Sequence, residues 1–180
     1  MIQNSIKAYQ LPSDALLKLK SLLNLREKMV RQKAGYQASI KEMKRLFPEK
    51  NNPVWFKFQR RILKELKEQI KKMESEMKQV IQEDDQLKKL YKLVTSVKGV
   101  GLIIGTSFLV YTNGFTAFNN WRAFASYSGT APFSYQSGTS IKGRNKVSHL
   151  ANKKMKTLLS NAASTCIQIA LKCGSIMSAD

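Results

Sequence analysis

Two segments of the chain repeat apolar residues every three or four positions, and this repeat constrains the fold more than any other feature of the sequence. Side chains at this spacing share one face of a helix, so each segment predicts a long amphipathic helix. The first stripe is Leu19, Leu22, Arg26, Met29, Lys33, Tyr36, Ile40, Met43 and Phe47. The second is Leu63, Leu66, Ile70, Met73, Met77, Val80 and Leu87, interrupted once by Asp84.

The segment between the two stripes predicts how these helices pair. Residues 48–53 read Pro-Glu-Lys-Asn-Asn-Pro, a turn that ends one helix and starts another. We therefore predict a mainly α protein that begins with an antiparallel helical hairpin, a coiled coil, over residues 13–92. Arg26 and Lys33 lie at seam positions and indicate a surface for a partner, so we expect homo-oligomers formed through the coiled coil. A solvated coiled coil that only spaces or dimerises another part is the plainer interpretation.

Acidic residues are nearly confined to the first half of the chain. The 180 residues include 31 Lys+Arg and 12 Asp+Glu, a formal net charge of +19. Residues 86–179 hold 12 Lys+Arg and no Asp or Glu, so they offer no carboxylate for a metal ion or for general base catalysis. His149 is the single histidine, so a His-based metal site is excluded, and without a carboxylate in its own half of the chain it predicts no Ser–His–Asp triad. The remaining groups are cations, hydroxyls and backbone amides, which bind phosphate.

Other features of the sequence favour a cytoplasmic protein. The longest strongly apolar uncharged run, residues 100–111, is about half the length that a membrane span needs. The first ten residues carry no secretion signal. The two cysteines, Cys166 and Cys173, exclude a disulfide framework and a cysteine zinc site. Binding to a membrane surface is disfavoured because the cations cluster at turns and helix starts.

Residues 93–180 are predicted to form a small helical domain. Lys98-Gly99-Val100-Gly101 lies between two helical stretches and resembles the helix-hairpin-helix element, in which glycines let helix amides approach a phosphate. A plain helical corner fits the same residues. Phe118, Trp121 and Phe124 then predict a short helix whose aromatic face is buried rather than stacked on bases.

Two basic elements follow in the predicted domain. An irregular Gly/Ser-rich loop over residues 129–147 contains Lys142, Arg144 and Lys146, which predict a phosphate clamp unless the loop is only solvated surface. A final helix, which we expect Ser148 to cap, carries Lys153 and Lys154 in its first turn. Cations there oppose the helix dipole, so they favour a binding role.

These elements occur in one order from Ser96 to Ala163: the G-V-G turn, the aromatic helix, G-x-A-P, S-G, the basic loop and a lysine-rich helix. This order resembles the C-terminal domain of the insertion sequence 110/116/902 transposases, and the upstream hairpin is similar to the coiled coil that precedes it there. The resemblance implies a DNA recombinase that moves an insertion sequence, with DNA and, in characterised relatives, a guide RNA as partners.

The resemblance also implies a serine nucleophile and a metal. The S-G element places the serine at Ser137, beside Gly138, although S-G is also an ordinary turn. Ser134 and Ser140 are the other candidates. In the family, magnesium is held by acidic residues of an N-terminal RNase H-like domain, for which we find no counterpart here.

We therefore expect this chain alone to bind nucleic acid without transferring strands unless a partner supplies the acidic domain, and we expect no cofactor within it. A catalytically inert DNA- or RNA-binding remnant that joins full-length transposase through its coiled coil is the main alternative. A basic helical protein of RNA or ribosomes is a further one, against which the G-V-G and S-G elements argue.

Overall fold

The computed structural model describes residues 11–131, 136–137, 141–142 and 147–177, and the side chains of 11–131 and 147–171. Within these residues there are six α-helices: α1 (Asp14–Leu46), α2 (Pro53–Glu83), α3 (Asp85–Thr95), α4 (Leu102–Tyr111), α5 (Trp121–Tyr127) and α6 (Lys153–Met177). A short 3-10 helix, Glu49–Asn51, joins α1 to α2, and strands β1 (Gln136–Ser137) and β2 (Ile141–Lys142) pair antiparallel. The prediction of a mainly helical protein is confirmed. None of the helices in this described part of the chain has the length and apolarity that a membrane span requires.

Helices α1 and α2 pack along each other as the predicted hairpin. Ser13 begins α1, because its side chain accepts a hydrogen bond from the Leu16 amide at 3.3 Å. Asn52 begins α2 in the same way, with Pro53 in the first position. Every stripe position is buried or half-buried except Phe47, which is 52% exposed at the far end of the hairpin.

The second long helix is interrupted at Asp84. The Asp84 carboxylate accepts hydrogen bonds from the amides of Gln86 and Leu87, both at 3.0 Å, and α3 therefore begins directly after it. An aspartate is a strong N-cap, and here it divides the second stripe into α2 and α3.

The main core lies where the hairpin meets the rest of the chain. Its buried residues are Leu16, Leu19, Leu23, Met77, Val80, Ile81, Leu87 and Leu109. Helices α3 and α4 come close at Gly105, where a Cβ would lie 3.0 Å from the Tyr91 and Thr95 side chains. The core is therefore continuous across residue 93, where the sequence predicts a domain boundary, and it fixes α4 against the hairpin.

The start of α6 differs from the prediction. The Ser148 side chain accepts from the Leu150 amide at 3.2 Å within a turn, and α6 begins only at Lys153. Asn152 caps it instead, because its Oδ1 accepts from the amides of Lys154 and Met155 at 3.1 Å. The Asn152 side-chain amide also donates to the Tyr127 hydroxyl at 2.7 Å, which ties α6 to α5.

The aromatic face of α5 is buried only in part. The ring of Phe124 lies 5.5 Å from that of Phe118 and 5.6 Å from that of Phe108, as the prediction of a buried face requires. The sequence also predicts Trp121 on this face, and that prediction is wrong: Trp121 is the first residue of the seven-residue α5, and 73% of it is exposed. The Arg122 guanidinium lies 5.2 Å from the centre of its ring.

Candidate nucleic-acid interface

The turn between α3 and α4 uses its first glycine for packing. Gly99 has a φ of +87°, and a Cβ there would lie 2.7 Å from the Ala162 carbonyl oxygen and 3.2 Å from the Cys166 Sγ. The Cys166 thiol donates to the Lys98 carbonyl. Both contacts place this side of the turn against α6. The sequence predicts that Gly99 lets the backbone come close to a phosphate. In the structure the missing side chain lets the turn come close to α6.

The second glycine of the same turn faces open space. Gly101 is the N-cap of α4, no side chain caps this helix, and nothing lies within 4 Å of a Cβ built at Gly101. The unpaired amides at a helix start carry partial positive charge. Because the side chain of Lys98 is also exposed, Lys98 and the start of α4 form a surface that suits a phosphate.

The two lysines at the start of α6 have different surroundings. Lys153 is exposed, whereas Lys154 is half-buried and its Nζ bonds Oε2 of Glu27 on α1. This hydrogen bond holds the pKa of Glu27 below its ordinary value. Partial burial alone would lower the pKa of Lys154, but Glu27 and the neighbouring Tyr111 raise it above its ordinary value. Lys154 is therefore held by the hairpin, and Lys153 is the one that faces solvent.

These cations do not converge on one point. The Lys98–Gly101 turn meets α6 at Ala162 and Cys166, nine or more residues after Lys153. At 1.5 Å per residue, Lys153 and the point where the turn contacts α6 are at least roughly 13 Å apart along the α6 axis. Separate phosphates of a backbone fit this spacing better than a single phosphate group.

The predicted serine lies in the small antiparallel pair. Ser137 of β1 pairs with Ile141 of β2, and Gln136 pairs with Lys142. Only the backbone of Ser137 and Lys142 is described. The other predicted residues of this segment, Gly138, Arg144 and Lys146, and the alternative serines, Ser134 and Ser140, lie outside the described residues.

Both ends of the segment that carries Ser137 lie beside the start of α6. A Cβ built at Gly129 would lie 3.1 Å from Cγ1 of Val147 and 2.8 Å from Cβ of Ala151. It would also lie 3.7 Å from Cδ of Lys156. The chain therefore leaves and rejoins the helical part at one place, next to the lysines of α6.

The described residues do not fit a magnesium site. No group of three or more His, Cys, Asp or Glu side chains among them could hold a metal ion. His149 is exposed in the turn before α6.

Sequence reasoning missed the residues that the hairpin contributes. Nη2 of Arg31 lies 2.5 Å from Oε1 of Glu27, an i,i+4 pair that the spacing could have indicated. The bond between Glu27 and Lys154 joins residues 127 positions apart and has no local signal. Arg26, predicted to mark a partner surface, pairs within the hairpin with Glu74 at 2.7 Å.

Two comparisons with known proteins bear on these observations. Residues 91–175 match the family model described as Transposase IS116/IS110/IS902 family. That range extends from the middle of α3 almost to the end of α6 and includes every site residue predicted from the sequence. A search of curated proteins gave no match.

Proposed function

We propose, because residues 91–175 match the model of the IS116/IS110/IS902 transposase family, that this chain acts in DNA transposition and binds DNA through that region. The family match is the observation that carries the proposal. The match supports a transposase role, and the DNA contacts and the serine chemistry are our inference.

The charge of the matched region supports DNA binding. It contains no carboxylate side chain, so its cations have no acidic neighbours within the region. Two ammonium groups are exposed, those of Lys98 and Lys153, and so is the start of α4 at Gly101. Such groups contact phosphates without reading bases. Low sequence selectivity is therefore expected in the absence of a guide RNA.

Ser137 is our candidate nucleophile, on the basis of the family resemblance. Its Oγ would attack a DNA phosphorus, forming an Oγ–P bond as the P–O bond to one sugar breaks, and the hydroxyl proton would pass to the departing sugar oxygen. Lys142, Arg144 and Lys146 would stabilise the charge on the phosphorus centre. A serine hydroxyl attacks phosphate poorly without activation, so we propose that the acidic domain characteristic of the family acts with this region.

Self-association through the coiled coil is part of the same proposal. Leu46, Val54 and Phe58 are each at least 60% exposed at the far end of the hairpin. Apolar side chains concentrated at one end of a solvated hairpin suit contact with a second coiled coil.

Covalent capture tests the catalytic assignment. The chain, supercoiled DNA carrying the element's end, magnesium and a separately expressed RNase H-like domain are incubated, with guide RNA where one is known, and quenched in detergent. We expect a protein–DNA adduct that Ser137→Ala abolishes.

Ser134→Ala and Ser140→Ala are the matched controls, because each removes one hydroxyl from the same segment. Both should keep the adduct. An adduct that survives Ser137→Ala, or disappears with either control, would contradict the assignment. Salt-sensitive DNA binding without any adduct would instead support the inert binding remnant.

A further inference from the structure

We call residues 91–175, which match the family model, the transposase region. A cavity of about 560 Å³ lies between the hairpin and this region, bounded by α1, α4 and α6. Leu23, Val30, Ile103 and Leu158 give it apolar walls. Its volume is within the range of small-molecule sites, about 300–1,000 Å³. Binding of duplex phosphates at an exposed surface does not require such a cavity, so its presence calls for a separate explanation.

Cations outnumber carboxylates around this cavity. Arg26, Arg31, Lys153 and Lys154 line it, and Glu27 is the carboxylate among the lining residues. Arg31 and Lys154 share Glu27, and Arg26 is paired with Glu74. Four cations against two carboxylates leave an excess of two positive charges, which matches the charge of a phosphate group.

Two residues with hydroxyl groups, Ser107 and Thr157, also line the cavity. The Ser107 hydroxyl donates to the Ile103 carbonyl at 2.7 Å, and that of Thr157 donates to the Lys153 carbonyl at 3.0 Å. Because both protons are used within the helices, both oxygens remain acceptors. An acceptor beside an apolar wall suits the amino group of a nucleobase.

We propose that this cavity binds one nucleotide, with its phosphate on Arg31 and Lys153 and its base between the apolar walls. The choice of a nucleotide rests on the proposed function, since a protein that handles DNA meets this ligand class. The nucleotide comes either free in solution or as an unpaired nucleotide of a bound nucleic acid. Both sources present the same phosphate and base.

Calorimetric titration of the full chain with dAMP and with inorganic phosphate tests the site. We expect dAMP to saturate one site and to bind at least about tenfold more tightly than phosphate, because the base fills the apolar walls. Fluorescence anisotropy then compares a blunt duplex with the same duplex carrying one unpaired 3′ dA. Tighter binding of the second duplex identifies nucleic acid as the source, and equal binding identifies free nucleotide.

Two variants locate the ligand. Lys153→Gln should weaken dAMP by about tenfold, through the loss of a charge-assisted hydrogen bond. Thr157→Trp should abolish binding by filling the cavity, and circular dichroism checks that its fold is retained. Lys156→Gln is the control, because Lys156 is an exposed lysine of the same helix that lies outside the cavity lining.

Absence of saturable dAMP binding would overturn the proposal, as would phosphate binding as tight as that of dAMP or equal weakening by Lys153→Gln and Lys156→Gln. Salt-dependent binding of the blunt duplex, measured on the same preparation, would leave the proposed DNA-binding function intact in each of these cases.

Discussion

The helical hairpin and the transposase region neutralise their cations in different ways. Within the described residues the hairpin forms four ion pairs of its own, Arg26–Glu74, Arg31–Glu27, Lys44–Glu49 and Arg60–Glu49. In the transposase region Lys154 is paired, and it uses a carboxylate of the hairpin. The other cations of that region have no carboxylate of their own to compete with a phosphate. Both parts carry an excess of positive charge, but residues 91–175 contain no carboxylate that could compete with a phosphate for their cations.

The two regions also differ in what holds them in place. The hairpin depends on a regular stripe of apolar side chains, which tolerates small changes at many positions. The transposase region also buries apolar side chains, such as Leu109 and Met155, and adds contacts made by single residues, such as Gly99 against α6 and Asn152 at the start of α6. Substitutions should therefore have graded effects in the hairpin and position-specific effects in the transposase region.

The largest effect is expected where the two regions share a core. Leu19 is fully buried, and its replacement by alanine should lower the free energy of unfolding by about 2–5 kcal/mol. Urea denaturation should show one transition, because the core is continuous from α1 to α4. Leu25→Ala, at a position 45% exposed, is the control and should change stability little. Two separate transitions in Leu19→Ala would contradict a shared core.

The next effect distinguishes the two glycines of the α3–α4 turn. Gly99→Ala places a Cβ 2.7 Å from the Ala162 carbonyl oxygen at a left-handed φ. We therefore expect the free energy of unfolding to fall by about 1–3 kcal/mol. Gly101→Ala meets no atom within 4 Å and should retain wild-type stability. Thermal unfolding of both variants measures the difference. Equal losses would refute the packing role of Gly99.

A smaller effect is expected at the ion pair that joins the regions. Glu27→Gln should cost up to about 1 kcal/mol, because the pair is partly exposed, and should tighten DNA binding by releasing Lys154. Glu76→Gln removes the same charge from an exposed position of α2 and is the control. If both variants tighten DNA binding equally, the gain comes from net charge alone.

The pH dependence of this pair follows from its pKa shifts. The pKa of Glu27 is lowered from 4.5, so its contribution is present above 4.5 and is lost as the pH falls through the lowered value. The pKa of Lys154 is raised from 10.5, so its contribution is complete below 10.5 and is lost at higher pH. The stability difference between wild type and Glu27→Gln should therefore be constant near neutral pH and shrink in acid. A difference that grows in acid would contradict the pairing.

The smallest effect is expected at Thr106, a buried polar residue of α4. Its hydroxyl is buried without a hydrogen-bond partner, so Thr106→Val should be neutral or stabilise by up to about 1 kcal/mol. The hydroxyl of Thr112, in contrast, accepts from the Phe115 amide at 3.0 Å and donates to the Phe108 carbonyl at 2.7 Å. Thr112→Val should destabilise in the same denaturation assay. The reverse order would contradict this assignment of buried hydrogen bonds.

The sequence predicts the two regions unequally for a physical reason. A helical stripe and a turn rich in Pro and Asn are both local patterns, so the hairpin could be derived from the spacing of apolar residues and from residues 48–53. The pairing of Lys154 with Glu27 and the packing of Gly99 on Ala162 join distant positions, and no local pattern encodes them. The sequence does not indicate Asn152 as the N-cap of α6, because Ser148, four residues earlier, has a side chain that is equally suitable as an N-cap. Ser137 stays a prediction that rests on the family resemblance, and the phosphate clamp of the 129–147 loop stays one that rests on the three cations of that loop.

The salt dependence of DNA binding by the full chain tests the central claim that the transposase region supplies the phosphate contacts. With six to eight such contacts, the slope of log K against log salt should be about −5 to −7. Replacing Lys142, Arg144 and Lys146 together by glutamine should make that slope less steep by about 3. The same change at Lys64, Lys67 and Lys71, exposed on α2, should leave it unchanged. A slope near zero, or an equal change in both triple variants, would contradict the claim.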